Sequence, residues 1–269
     1  MARLVTPPPE STPAEWGKRL AILACALIPV LLLLVLMVHE HEPMRIRWDA
    51  ISLSEAPPMP VGDFLREVKA IGQFPDPLDM GQPEILNQLY EATSRHDWVA
   101  RVERIALPAP GKIHMVLHFR KPVAKLQKGT QLHLVDHEGK LLLPLFPQQS
   151  EGLLSITGFE NRTAANEGWF MQAVELASLL KAESNWKLLG IQIFQNQRLD
   201  EADLRIRTQS GSWIIWQTLR GTTSDELSVA EKLTRLRLYH ERFGSFDVPA
   251  GYVLDVRVKD GLQRRPLTP

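Results

Sequence analysis

From Leu20 to Val38 the chain runs for nineteen residues without a charge, and the centre of the run reads Ile-Pro-Val-Leu-Leu-Leu-Leu-Val-Leu-Met-Val. A bilayer core takes about 20 apolar residues as a helix. A helix satisfies its own backbone hydrogen bonds, so it is stable in lipid where a loop is not, and Pro29 is tolerated there as a kink. Cys25 falls within the same span. A cleavable signal peptide has a shorter apolar run, ~7–15 residues, ending at small side chains. Here the run ends in Met37-Val38-His39-Glu40, which predicts an uncleaved membrane helix over 20–38. Arg3, Lys18 and Arg19 precede the span, and His39-Glu40-His41-Glu42 follows it. Positive flanks stay in the cytoplasm. The tail 1–19, with Pro7-Pro8-Pro9 and Pro13, is therefore expected to be cytoplasmic and unstructured, and nearly everything after Glu42 to lie outside the cytoplasm.

Lys+Arg and Asp+Glu are each 31, so the formal net charge is zero. That argues against a chain-wide polyanion binder, because phosphate contacts need a positive field. Hydrophobic content of 44% with 23% charged residues fits a folded chain. The single cysteine cannot form an internal disulfide or a redox pair.

Beyond the apolar run the patterning is α+β. Ile46, Trp48 and Ala50 alternate along an expected strand, Arg45 to Leu53. Val61, Phe64, Leu65, Val68 and Ile71 fall at helical spacing, and Pro83 opens a second helix carrying Ile85, Leu86, Leu89 and Ala92 inward. Trp98 to Leu107 and Lys112 to Arg120 are strands joined through Pro108–Gly111. In the latter, Ile113, Met115, Leu117 and Phe119 share one face. Pro122 cannot donate to a ladder, so that strand stops or lies at an edge there. The order is β-α-α-β-β, two helices covering one face of a small sheet.

A second unit follows. Gln131–Val135 and Lys140–Leu145 flank the turn Asp136–Gly139, and Leu153–Ile156 leads into Thr157-Gly158. Asn166 is placed to cap a helix with Trp169, Ala173, Leu176, Ala177 and Leu180 inward. Strands are expected at 187–194, 202–207 and 213–217. Thr223-x-x-Glu226 reads as a capping box for a long helix bearing Val229, Leu233, Leu236, His240 and Phe243 on one face. Tyr252 to Val258 is the final expected strand. It reads as an edge strand, and an edge offers unpaired N–H and C=O groups to a partner.

The usual chemical motifs are missing: there is no P-loop, dinucleotide-binding glycine pattern, G-x-S-x-G or H-E-x-x-H. His39–Glu42 looks metal-like but reads better as a polar stop beside the membrane. His114 and His118 share a strand face but are roughly 13 Å apart, too far for one ion. His133 and His137 read as surface residues, His240 as a core or boundary histidine, and Trp98 and Trp213 as packing. Asp136 suits a turn, and Asp255 is expected to face outward between Leu254 and Val256.

Several runs in order resemble the FtsQ/DivIB family of bacterial cell division proteins. They are Trp98-Val99 with Val102-Glu-Arg104 and the Lys112–Arg120 strand, Lys121-Pro122-Val123-Ala124, Leu134-Val135-Asp136-His-Glu-Gly139, Ile156-Thr157-Gly158, Glu231-Lys232-Leu233, and Leu254-Asp255-Val256-Arg257. The resemblance implies a POTRA domain over 43–125, a mixed β domain with two helices over 126–262, and a tail over 263–269. It implies no catalytic residue, metal, cofactor, small-molecule substrate or nucleic acid. The implied protein is a single-pass inner-membrane scaffold at the division septum, holding the bilayer through 20–38. It would bind small bitopic FtsB- and FtsL-like partners by strand addition at Tyr252, Val253, Leu254, Asp255, Val256, Arg257, Val258 and Lys259. Val258 stands where relatives often carry Tyr. Two other readings stay open on the residues alone: a POTRA-bearing subunit of a secretion or pilus-assembly machine, and a membrane-anchored envelope hydrolase.

Overall fold

The structure, a computed structural model, describes residues 28, 45–159, 167–195, 202–219 and 227–267. The expected membrane span 20–38 lies outside them save for Ile28. Among the described residues, no helix is long and apolar enough to cross a membrane. The architecture is α+β, with one small sheet, one large sheet and a two-stranded ribbon.

The expected strand 45–53 is broken. β1 (Arg45–Ile46) and β2 (Ile51–Leu53) flank a 3-10 turn at Trp48–Ala50. The cause is Trp48: its indole N–H donates to the Pro75 carbonyl at 3.0 Å and its ring packs 5.9 Å from Phe74. A straight strand could not bury that ring while Ile46 and Ile51 also face inward. β1 pairs with β3 (Leu78–Asp79), and β2 joins the small sheet. Helix α1 (Val61–Gly72) buries Phe64, Leu65 and Val68, but Val61 is exposed. It ends where Gln73 takes a positive φ of 53°. Helix α2 (Ile85–Ser94) buries Ile85, Leu89, Ala92 and Thr93. β4 (Val99–Ala109) and β5 (Lys112–Phe119) form a hairpin, and β5 buries Ile113, Met115, Leu117 and Phe119 as expected. The sheet order is β2-β5-β4. The Phe64 ring meets Phe119 edge-on at 5.2 Å, fastening α1 to β5.

Pro122 opens a strand rather than ending one. β6 (Pro122–Lys128) pairs with β7 (Gln131–Asp136), so the expected domain boundary after residue 125 falls inside β6, and the division between sheets lies at Arg120–Lys121. β8 (Leu141–Leu142) is shorter than the expected 140–145 strand. β9 (Leu154–Thr157), α3 (Glu167–Leu180), β10 (Leu188–Gln195), β11 (Ala202–Thr208), β12 (Trp213–Leu219), α4 (Val229–Phe243), β13 (Tyr252–Asp255) and β14 (Gln263–Pro266) complete the unit. Its nine strands run in the order β14-β13-β12-β11-β10-β9-β6-β7-β8. β6–β9, β9–β10 and β12–β13 are parallel pairs. A parallel pair needs a crossover; the chain through β7 and β8 supplies the first, α3 the second and α4 the third.

Both helices cover the same sheet face. Phe170, Ala173, Val174, Leu176, Ala177 and Leu180 from α3 share a core with Leu233 and Leu236 from α4, whereas Trp169 is only half-buried. The α4 cap is Ser228 with Glu231, whose side chains and N–H groups bond reciprocally. The expected box residues Thr223 and Glu226, and Asn166, lie outside the described residues. Val229 and Phe243, expected inward, are exposed, and His240 is half-buried against Trp186 and Phe246.

The two units share a joint. Leu134 of β7 and Leu142 of β8 are buried in the core of the first unit. Arg120 Nη1 donates to Asp136 Oδ2 at 2.6 Å and to Glu138 Oε2 at 2.7 Å. Burial by itself would lower the Arg120 pKa, but the hydrogen bonds to Asp136 and Glu138 outweigh it and raise it. Asp136 Oδ1 accepts from the Glu138 and Lys140 N–H groups at 3.0 and 2.8 Å, so this expected turn residue is also fully buried.

Candidate partner-docking edge

The expected docking strand is not an edge. β13 lies between β12 and β14, and it stops at Asp255 rather than Val258. Of the eight expected partner-binding residues, Tyr252–Asp255 are internal to the sheet, and Val256–Lys259 form the loop after it. The Val256 N–H donates to the Ile215 carbonyl, which closes it to an incoming strand. Tyr252 alone among the eight keeps a large exposed ring.

The edge is β14, in the stretch expected to be a tail. Its partners are Tyr252↔Pro266, Val253↔Arg265, Leu254↔Arg264 and Asp255↔Gln263. The Leu267 N–H donates to the Gly251 carbonyl at 2.7 Å, which makes 251 and 267 a hydrogen-bonded pair. Bonded and non-bonded pairs alternate along an antiparallel ladder. Gln263 and Arg265 therefore bond to β13, whereas Arg264 and Pro266 turn their main-chain groups outward. Nothing among the described residues pairs with that outer side. Proline has no N–H, so within β14 the free edge presents one donor, Arg264 N–H, and the carbonyls of Arg264 and Pro266. All four β14 residues are exposed. One signal in the sequence could have found this strand: Asp260-Gly261 is a hairpin-turn dipeptide.

The sheet face away from α3 and α4 carries a ladder of charge ending at this edge. Asp255, expected to face outward, is 1% exposed. Its Oδ1 accepts from Arg257 N and Nε, both at 3.0 Å, and its Oδ2 from Arg257 Nη2 at 2.9 Å. Arg265 Nη1 of β14 stands 3.2 Å from the same Oδ2. Arg257 Nη1 continues to Asp203 Oδ1 at 3.1 Å and to the Thr218 hydroxyl. Asp203 then meets Arg205, whose guanidinium lies 3.7 Å over the Phe194 ring. Burial alone would raise the Asp255 pKa. The bonds and charge of Arg257, aided by the charge of Arg265, win and hold it below the usual carboxylate value.

The histidines stay apart. His114 Nδ1 is 2.9 Å from Ser52 Oγ, and His118 Nε2 is 2.9 Å from Glu103 Oε1. Among the described residues no three His, Cys, Asp or Glu side chains are grouped to hold a metal ion, and His39–Glu42 lie outside them. Trp98 is buried, and Trp213 is half-buried with Arg207 5.4 Å from its ring.

Fold and site together define an α+β protein of two joined sheets, the larger ending in a charged strand edge that pairs with nothing among the described residues. Compared with known proteins, the chain matches no family model and no curated sequence.

Proposed function

We propose that this protein is a non-catalytic, single-pass inner-membrane scaffold of the bacterial division machinery, of the FtsQ/DivIB kind. Its region 45–119 serves as a POTRA unit, and its nine-stranded sheet captures small bitopic FtsB- or FtsL-like partners. Leaving aside the small β1–β3 ribbon, the run β2-α1-α2-β4-β5 with sheet order β2-β5-β4 supports the POTRA part. The observation that carries the docking part is the outer side of β14, which nothing among the described residues pairs with, leaving one donor and two acceptors on a strand already fixed to its own sheet. Strand addition takes affinity from such main-chain groups and selectivity from the side chains beside them. The exposed Arg264 and Arg265 bias the edge toward acidic partners and also discourage self-pairing.

The test is Arg264→Pro in the full-length chain, read by co-purification of co-expressed FtsB- and FtsL-like partners. The Arg264 N–H faces away from β13, so proline removes the one free donor without breaking the protein's own ladder. Capture is expected to fall by ~10-fold or more, the loss of one main-chain bond with its acceptor left unpaired, with the melting temperature unchanged. Undiminished capture contradicts the docking assignment.

A further inference from the structure

The chain between β13 and β14, residues 256–262, decides where the edge strand lies, and one side chain gathers it. Arg235 is on α4 beside Leu236, which is fully buried, so its base is fixed by the core. Its Nη1 donates to the carbonyls of Val256, at 3.4 Å, and Val258, and its Nη2 to the carbonyl of Lys259 at 2.9 Å. The Val258 carbonyl also accepts the Gly261 N–H at 3.3 Å, closing the turn that leads into β14. Gly261 has a φ of 114°, which a side chain rarely adopts.

We infer that Arg235 is a positioning residue for the docking edge. Its planar fork holds three loop carbonyls in one arrangement, so the chain reverses and delivers Gln263–Pro266 alongside β13. The inference rests on the docking reading of β14 and adds a residue that touches neither the edge nor a partner. Arg suits this task because its donors diverge from a rigid plane; Lys has the same charge on a single flexible point and cannot bridge three acceptors in fixed geometry. An edge already placed also binds without the cost of ordering it. The fastening is two-sided: Arg235 holds the loop from the α4 side, and Asp255 holds Arg257 and Arg265 from the opposite face.

The experiment compares the full-length chain in detergent micelles with Arg235→Lys and Arg235→Met. Hydrogen exchange is followed at the amides of Gln263, Arg265 and Leu267, which face β13. Both variants are expected to exchange these ~10-fold faster or more, the effect of losing charge-assisted bonds, while β10–β12 amides keep their wild-type rates. In parallel, photo-cross-linking from position 263 to a co-expressed FtsB-like partner drops. Unaltered exchange in both variants overturns the role of Arg235. Uniform acceleration across the whole sheet also overturns it, since Arg235 is then a general stability residue. A wild-type chain that gives no cross-link at 263 strikes the docking reading itself, a result distinguishable from either.

Discussion

Substituting Met for Arg120 cuts the joint between the two units at its most buried point. The Arg120 side chain is 15% exposed and that of Asp136 is fully buried, so the pair meets largely out of water. Met keeps the apolar stem volume but leaves the Asp136 carboxylate with only the Glu138 and Lys140 N–H donors. Removing one partner of a buried pair costs about 3–5 kcal/mol. Two features pull the figure down. Glu138, the other partner of Arg120, is largely exposed, and an exposed pair contributes little. Arg120 Nε is itself buried with no hydrogen-bond partner, and Met removes that penalty. The expected loss is therefore near the lower bound, about 3 kcal/mol, or roughly 6–12 °C in melting temperature for a body of this size. Urea denaturation followed by tryptophan fluorescence measures it. The double variant Arg120→Met/Asp136→Asn is expected to recover at least ~1 kcal/mol, because the stranded charge is gone. A single-variant loss under ~1 kcal/mol, or a double variant no better than the sum of the singles, would mean that the Arg120–Asp136 pair does not fasten the joint.

Other consequences are equally open to measurement. Asp255 has a folded-state pKa below the unfolded carboxylate value of about 3.9, so its stabilisation is complete above that value and is lost as pH falls through the folded pKa. The gap in urea midpoint between wild type and Asp255→Asn should be wide at pH 7 and shrink below about pH 4. Leu134→Ala should cost about 2–5 kcal/mol and speed amide exchange in β5 as well as β7, because Leu134 fills the first unit's core. Gly158→Ala places a Cβ 2.0 Å from the Ile193 carbonyl oxygen at a φ of 79°, and should lose more than about 2 kcal/mol. Val256→Pro removes the N–H bonded to Ile215, so calorimetry should show a broad loss of sheet stability rather than selective loss of binding.

Periodicity made much of the fold legible. The run Ile113, Met115, Leu117, Phe119 and the spacing of Phe64, Leu65 and Val68 are burial patterns written directly into the chain, and both elements appear where the pattern places them. The break at Trp48 was not legible, because it depends on the Pro75 carbonyl, 27 residues away. Asp255 and β13 depart from the sequence expectation for one shared reason. Alternation says which residues oppose Leu254 but not whether that face or that edge is covered, and the cover comes from Arg257, Arg265 and β14. β14 itself reads Gln-Arg-Arg-Pro, with no apolar alternation to announce it. A short strand held by main-chain bonds on one side needs no hydrophobic pattern, and only the Asp260-Gly261 turn betrayed it. Arg235 was similarly invisible: an arginine on a helix face says nothing of the carbonyls that a distant loop brings to it.

Amide exchange at Arg264, in the full-length chain with and without a co-purified FtsB-like partner, addresses strand capture most directly. The N–H points away from β13, so rapid exchange is expected in the protein alone, with slowing of ~100-fold or more when a partner strand accepts from it, as for a sheet-interior amide. Arg264 exchanging just as fast in the complex, with the partner demonstrably bound, contradicts the claim that β14 is where this protein takes hold of another chain.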